Sequence, residues 1–182
     1  MTDCTMPNVG KHFRFPPQPM VKEDTHFVDA GCVTIGIECR AVTNNDLLEL
    51  FRGTPFEDVR GEGTPDLDVS GVSIHVCEAA TGTEYVRFDP FEGDSHYHYL
   101  HPWSSPDEVD NHVVYWDTVA NGPMLSWVFE SLRVRLPRML DHAGAGHLVA
   151  ELDQKALDTA AAEVERLAAN LAASGGADDP GA

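Results

Sequence analysis

The chain has 182 residues, enough for one core, and its 42% hydrophobic and 23% charged content excludes collagen-like, wholly disordered and low-complexity classes. Thirty acids against twelve bases give a formal charge of −18, and only three of the bases are lysine, so nucleic acid and anionic membrane surfaces are disfavoured as partners. No stretch approaches the roughly 18 to 20 apolar residues of a membrane span, the N-terminus lacks a signal-peptide hydrophobic region, and Cys4, Cys32, Cys39 and Cys77 form no C-x-x-C pair, which together point to a cytoplasmic protein with reduced thiols.

In chain order, residues 1–26 are rich in proline and polar residues and read as an extended arm. Residues 30–42 alternate, with Val33, Ile35, Ile37, Cys39 and Ala41 on one face and Thr34, Gly36, Glu38 and Arg40 on the other, as a half-buried strand does. Asn44 or Asn45 then caps a short helix from Asp46 to Arg52 that stops at Gly53. The Gly-, Pro- and Asp-rich stretch 53–70 is longer than a plain connector and has the composition of a lid or binding loop.

The runs VSIHVCE and EYVRFD flank a glycine-bearing turn and predict a hairpin. Val72, Ile74, Val76, Val86 and Phe88 share its apolar face, while His75, Cys77, Tyr85, Arg87 and Asp89 share the other. Residues 95–100 and 112–117 supply two further strands. From Asn121 the period changes to three or four, with Leu125, Val128, Leu132, Leu136 and Met139 on one stripe and Pro137 interrupting it. A second helix over 148–173 carries a heptad seam, Leu157, Val164 and Leu171. The expected fold is α+β: an antiparallel sheet of four or five strands with two C-terminal helices packed on one face. The division is an arm over 1–26, a single domain over 27–173 and a disordered tail over 174–182.

Chemistry concentrates in His96-Tyr97-His98-Tyr99-Leu100-His101. On an extended strand His96 and His98 point the same way about 6 to 7 Å apart, close enough to share a metal ion, and the same face offers His75, Glu38 and Asp89 as further ligands. Two histidines and a carboxylate suit a divalent transition metal such as iron, manganese or zinc with open coordination positions. The competing expectation is an aromatic, half-exposed surface with no ion. Arg87 beside Asp89 reads as a structural salt bridge, Trp103, Trp116 and Trp127 as core or interface anchors, and no phosphate-binding glycine loop or activated nucleophile is present.

The stretch Gly93-Asp94-Ser95-His96-Tyr97-His98 is similar to the first motif of the cupin superfamily, in which a glycine precedes an H-x-H pair on a barrel strand and a glutamate follows. Here Gly93 stands too close to His96, and Pro102 and Trp103 occupy the place of the glutamate, so no cupin assignment follows. Residues 85–99, YVRFDPFEGDSHYHY, resemble small uncharacterised bacterial proteins, a likeness that implies no activity. Two functions remain open. One is a small acidic accessory or interaction protein that docks a protein partner or a second copy through its His-rich sheet face or its C-terminal helix. The alternative is a metal-dependent enzyme or metalloprotein with a His-based site on the polar sheet face.

Overall fold

The alternating runs of the sequence become the strands of one sheet because their period of two places every apolar side chain on the same side. The computed structural model describes residues 10–13, 16–53, 68–102 and 109–175. Among the described residues there are seven strands: β1 (Lys11–Phe13), β2 (His26–Ala30), β3 (Val33–Thr43), β4 (Asp68–Glu78), β5 (Glu84–Phe91), β6 (Asp94–Pro102) and β7 (Val109–Tyr115). Their spatial order is β1-β7-β6-β5-β4-β3-β2, and every neighbouring pair is antiparallel.

The sheet therefore exceeds the expected four or five strands. The additions are β1, which pairs with β7, and β2, which pairs with β3. Both are edge strands of three and five residues, too short to display a period. The candidate lid falls mostly on residues 54–67, which lie outside the described residues, as do Cys4, Trp103 and residues 176–182.

The helices are α1 (Asn44–Phe51), α2 (Thr118–Asn121), α3 (Met124–Val134), α4 (Leu136–His142), α5 (Gly146–Val149) and α6 (Gln154–Gly175). Thr43, rather than an asparagine, caps α1 in a reciprocal box with Asp46. Two C-terminal helices were expected and five pieces follow β7. Pro137 opens a new helix, α4, because it cannot continue the ladder of α3. Asp153 accepts from the backbone N–H groups of Lys155 and Ala156 and so starts α6 afresh after α5.

Val33, Ile35, Ile37, Ile74, Val76, Val86 and Phe88 are all fully buried in one cluster with Val128, Leu132, Leu136, Leu140, Leu157 and Val164 from α3, α4 and α6. Fully burying each such side chain contributes roughly 1.5 to 3 kcal/mol before ordering costs. Leu171 packs at the rim of the same cluster, so the heptad seam is spent inside the molecule. Tyr85 departs from its expected face. A bulge between Val76 and Cys77 pairs Val86 with Val76 and Glu84 with Cys77, which turns Tyr85 into the helix-side core and puts Glu84 on the polar side.

The β5–β6 turn sets the register that matters for the site. Gly93 has φ +82°, a conformation favourable only for glycine, and the two-residue turn Glu92-Gly93 fixes Phe91 opposite Asp94 and hence Asp89 opposite His96. Among the described residues no helix is long and apolar enough to cross a membrane, and Cys32, Cys39 and Cys77 form no disulfide.

Candidate metal centre

The face of the sheet away from the helices is polar and nevertheless buried. Glu38 is 1% exposed, His75 0%, Arg87 2%, Asp89 4% and His98 5%. Over Glu38, Arg40 and Arg87 the cover comes from the N-terminal segment, through Gln18, Pro19, Val21 and Thr25. Arg40 and Arg87 both donate to the Gln18 carbonyl, Arg40 also donates to the Pro19 carbonyl at 2.7 Å, and the Val21 N–H donates to Glu38. The Thr25 hydroxyl also donates toward Glu38 at 3.1 Å. Charges buried this way are tolerated only when paired, and these divide into two groups.

The first group is an ionic network centred on His75. Its Nδ1 lies 2.6 Å from Glu84 Oε1 and its Nε2 3.1 Å from Glu38 Oε1. Both nitrogens face carboxylate oxygens, so both donate and the ring is an imidazolium. Burial opposes that charge, but Glu84 and Glu38 outweigh it and hold His75 above its ordinary pKa. Arg87 forks onto Glu84 at 2.8 and 2.6 Å, rather than onto Asp89 as the sequence suggested. Burial alone would raise Glu84; Arg87 and His75 outweigh it and hold the carboxyl well below the usual range. Arg40 closes the network at 3.3 Å from Glu38.

The second group is Asp89, His96 and His98. His98 Nε2 lies 3.1 Å and His96 Nε2 3.5 Å from the same oxygen, Asp89 Oδ2, and the rings stand edge to face with centroids 4.9 Å apart. One ligand atom from each of the three residues lies within 4.8 Å of the others. Each Nδ1 is engaged on its far side: that of His98 donates to Asn111 Oδ1 and that of His96 to the Asp94 carbonyl, both at 2.7 Å. The other oxygen of Asp89 accepts a short hydrogen bond from the Ser73 hydroxyl. Burial outweighs the pull of Asp89 and lowers the pKa of His98. Phe91 and Tyr115 flank the His96 ring at 6.1 and 5.9 Å.

Of the five residues singled out in the sequence, the structure brings Asp89, His96 and His98 together and leaves His75 and Glu38 in the ionic network. The register explains the separation. His75 sits opposite Arg87 and Arg87 opposite His98, so two strand spacings, about 10 Å, separate the two histidine backbones. His75 also has no free lone pair. Sequence reasoning missed Ser73, Asn111 and Glu84. Ser73 shares the face of His75 by simple alternation, but Asn111 depends on the β6–β7 register and Glu84 on a bulge, neither of which leaves a mark in the sequence.

Fold and site thus define an α+β protein carrying two imidazoles and a carboxylate, each oriented by a second residue, on a covered sheet face. Residues 27–168 match the family model described as a domain of unknown function, DUF7700, and the chain belongs to that family. No curated protein and no solved structure matches it. The matched span contains every residue of both groups, whereas β1 and the covering segment 16–25 precede it.

Proposed function

We propose that this chain is a metalloprotein holding one divalent first-row transition ion on Asp89, His96 and His98. The observation that carries this is the convergence of three ligand atoms, His96 Nε2, His98 Nε2 and an Asp89 oxygen, from imidazoles whose Nδ1 atoms are each held by an oxygen acceptor on the far side. An ion at that point takes up both Nε2 atoms and the carboxylate at once, in place of the direct contact between His98 and Asp89. The partners on Nδ1 and the Ser73 hydroxyl play the orienting part that outer residues play around metal ligands. Iron(II), manganese(II) and zinc(II) suit this donor set, and three protein ligands leave positions for water or a substrate, on which such an ion acts as a Lewis acid. His96, at 13% side-chain exposure, marks the side from which a small molecule reaches the ion.

Docking of a partner has less support. The N-terminal segment occupies the part of the polar face around Glu38 and Arg87, and the core absorbs the apolar seam of α6. Elemental analysis and melting of wild type, His96→Ala and His147→Ala test the metal reading, His147 being a half-exposed histidine beside Glu78. His96→Ala should lose about one equivalent that wild type and His147→Ala retain. Adding metal at about a hundredfold excess over its dissociation constant should stabilise wild type by roughly 2.7 kcal/mol. Equal metal content in wild type and His96→Ala would overturn the proposal.

A further inference from the structure

On the opposite, helix-side face, at the β1 edge, a second set of histidines gathers that the centre above does not use. His12 of β1 pairs directly across the ladder with His112 of β7, and His101 of β6 pairs with Asp110 of β7. Asp110 and His112 are two residues apart on one strand, so the pleat forces all four onto one side. His142, in the last turn of α4, comes down over them. The ring centroids of His12 and His112 are 3.5 Å apart, those of His101 and His112 4.8 Å, and that of His142 lies 6.1 and 6.2 Å from those of His101 and His112.

What sets this cluster apart is its lack of satisfied nitrogens. Among the described residues, both ring nitrogens of His112, Nε2 of His101 and Nε2 of His142 are buried without a hydrogen-bond partner. His112 Nε2 comes within 3.2 Å of Asp110 Oδ2 but off the hydrogen-bonding direction, and His12 Nδ1 is 3.6 Å from Asp110 Oδ1. Folded proteins seldom leave buried polar atoms unpaired, and here four such nitrogens lie in one place beside a carboxylate. Ligand atoms of His12, Asp110 and His112 lie within 4.8 Å of one another.

The geometry points to a second metal site, with His12, Asp110 and His112 as ligands and His101 and His142 as its inner wall, that binds a zinc-type divalent ion and fastens β1 to the sheet. Two imidazoles and a carboxylate are a donor set that zinc takes, as at the Asp89 centre. His12 is 38% exposed on its outer side, which gives the ion access from solvent. The mechanical consequence follows from the topology. β1 is three residues long and among the described residues pairs with β7 alone, so a ligand on β1 and two on β7 close a bridge that the strand's own hydrogen bonds are too few to provide.

The test uses the full chain, zinc, and the variants His12→Ala, Asp110→Asn and His96→Ala. His12 is on an exposed edge, and Asp110→Asn keeps size while removing charge, so the fold survives in at least one of them. After equilibration with zinc and removal of the excess, His12→Ala and Asp110→Asn should each hold about one equivalent less than wild type, while His96→Ala loses a different one. Zinc at about a hundredfold excess over its dissociation constant should slow amide exchange in residues 11–13 by about a hundredfold in wild type and in His96→Ala, with no effect in Asp110→Asn. Undiminished zinc content in both His12→Ala and Asp110→Asn, or zinc that leaves exchange of β1 unchanged in wild type, would overturn this site. Failure of the Asp89 centre would show separately, as an unchanged zinc content in His96→Ala.

Discussion

Substituting Glu84 by Gln removes the carboxylate that His75 and Arg87 share. The change deletes the 2.6 Å contact to His75 Nδ1 and converts the two-pronged Arg87 contact into a single neutral one, leaving the fully buried His75 with Glu38 alone and the 2% exposed guanidinium without its paired carboxylate. Breaking a buried pair by removing one partner costs about 3 to 5 kcal/mol, and Glu84 keeps 15% of its side-chain exposure, which places the expected loss near the lower end, about 3 kcal/mol. That is a large share of the roughly 5 to 15 kcal/mol that holds a domain together. Urea unfolding of Glu84→Gln beside Glu163→Gln, which opens a solvated pair with Arg166, gives the comparison. The pH dependence has a definite sign. His75 is held above its unfolded value, so its contribution is complete below about pH 6.5 and is lost as pH rises through the folded value. Glu84 is held below its unfolded value, so its contribution is present above about pH 4.3 and is lost only on acidification. Wild type should therefore lose stability on the alkaline side, and Glu84→Gln should lose it from a lower pH. A Glu84→Gln midpoint no lower than that of Glu163→Gln would refute the network's role.

Further outcomes follow from the same contacts. Burial, reinforced by Glu84, pushes the Cys77 thiol up to about 12, so an alkylating reagent at neutral pH should modify exposed Cys39 in the folded protein and reach Cys77 only after unfolding; mass mapping of the adducts checks this. Leu157→Ala, at a fully buried seam position, should cost about 2 to 5 kcal/mol without changing the sedimentation mass, whereas an altered mass at unchanged stability would place the seam between subunits. Deleting residues 1–20 should destabilise the domain and make it more sensitive to pH, because Arg40 and Arg87 lose the Gln18 and Pro19 carbonyls; an unaltered denaturant midpoint would show that the covering segment is dispensable.

Much of this was legible because strands declare their faces through a period of two. Val33, Ile35, Ile37, Ile74, Val76, Val86 and Phe88 could be assigned to one core face, and His96, His98 and Asp89 to the other, from alternation alone. Pairing was less legible, since a face says nothing about which strands are adjacent or in what register. His75 shares the face of His98 yet lies two strands away, and only the β5–β6 turn at Gly93 brought Asp89 opposite His96. Tyr85 and Glu84 exchanged faces through a bulge. The arm was hardest to read: prolines that suggest extended chain are compatible with lying across a sheet, because carbonyl groups still accept from Arg40 and Arg87 without any N–H of their own. His12 stood in that arm with nothing to indicate its partner on β7.

In the proposed metalloprotein a cation occupies the point where His96 Nε2, His98 Nε2 and the Asp89 carboxylate converge. Anomalous diffraction at the absorption edge of zinc or manganese, from crystals of the full chain grown with that ion, locates it directly. The expected result is a peak about 2.0 to 2.2 Å from both Nε2 atoms and one Asp89 oxygen, with Nδ1 of His98 still on Asn111 and Nδ1 of His96 still on the Asp94 carbonyl. A contradictory result is no peak there, with His98 Nε2 donating directly to Asp89 and the Asn111 amide turned to donate to Nδ1, which would make the cluster a self-satisfied hydrogen-bond network.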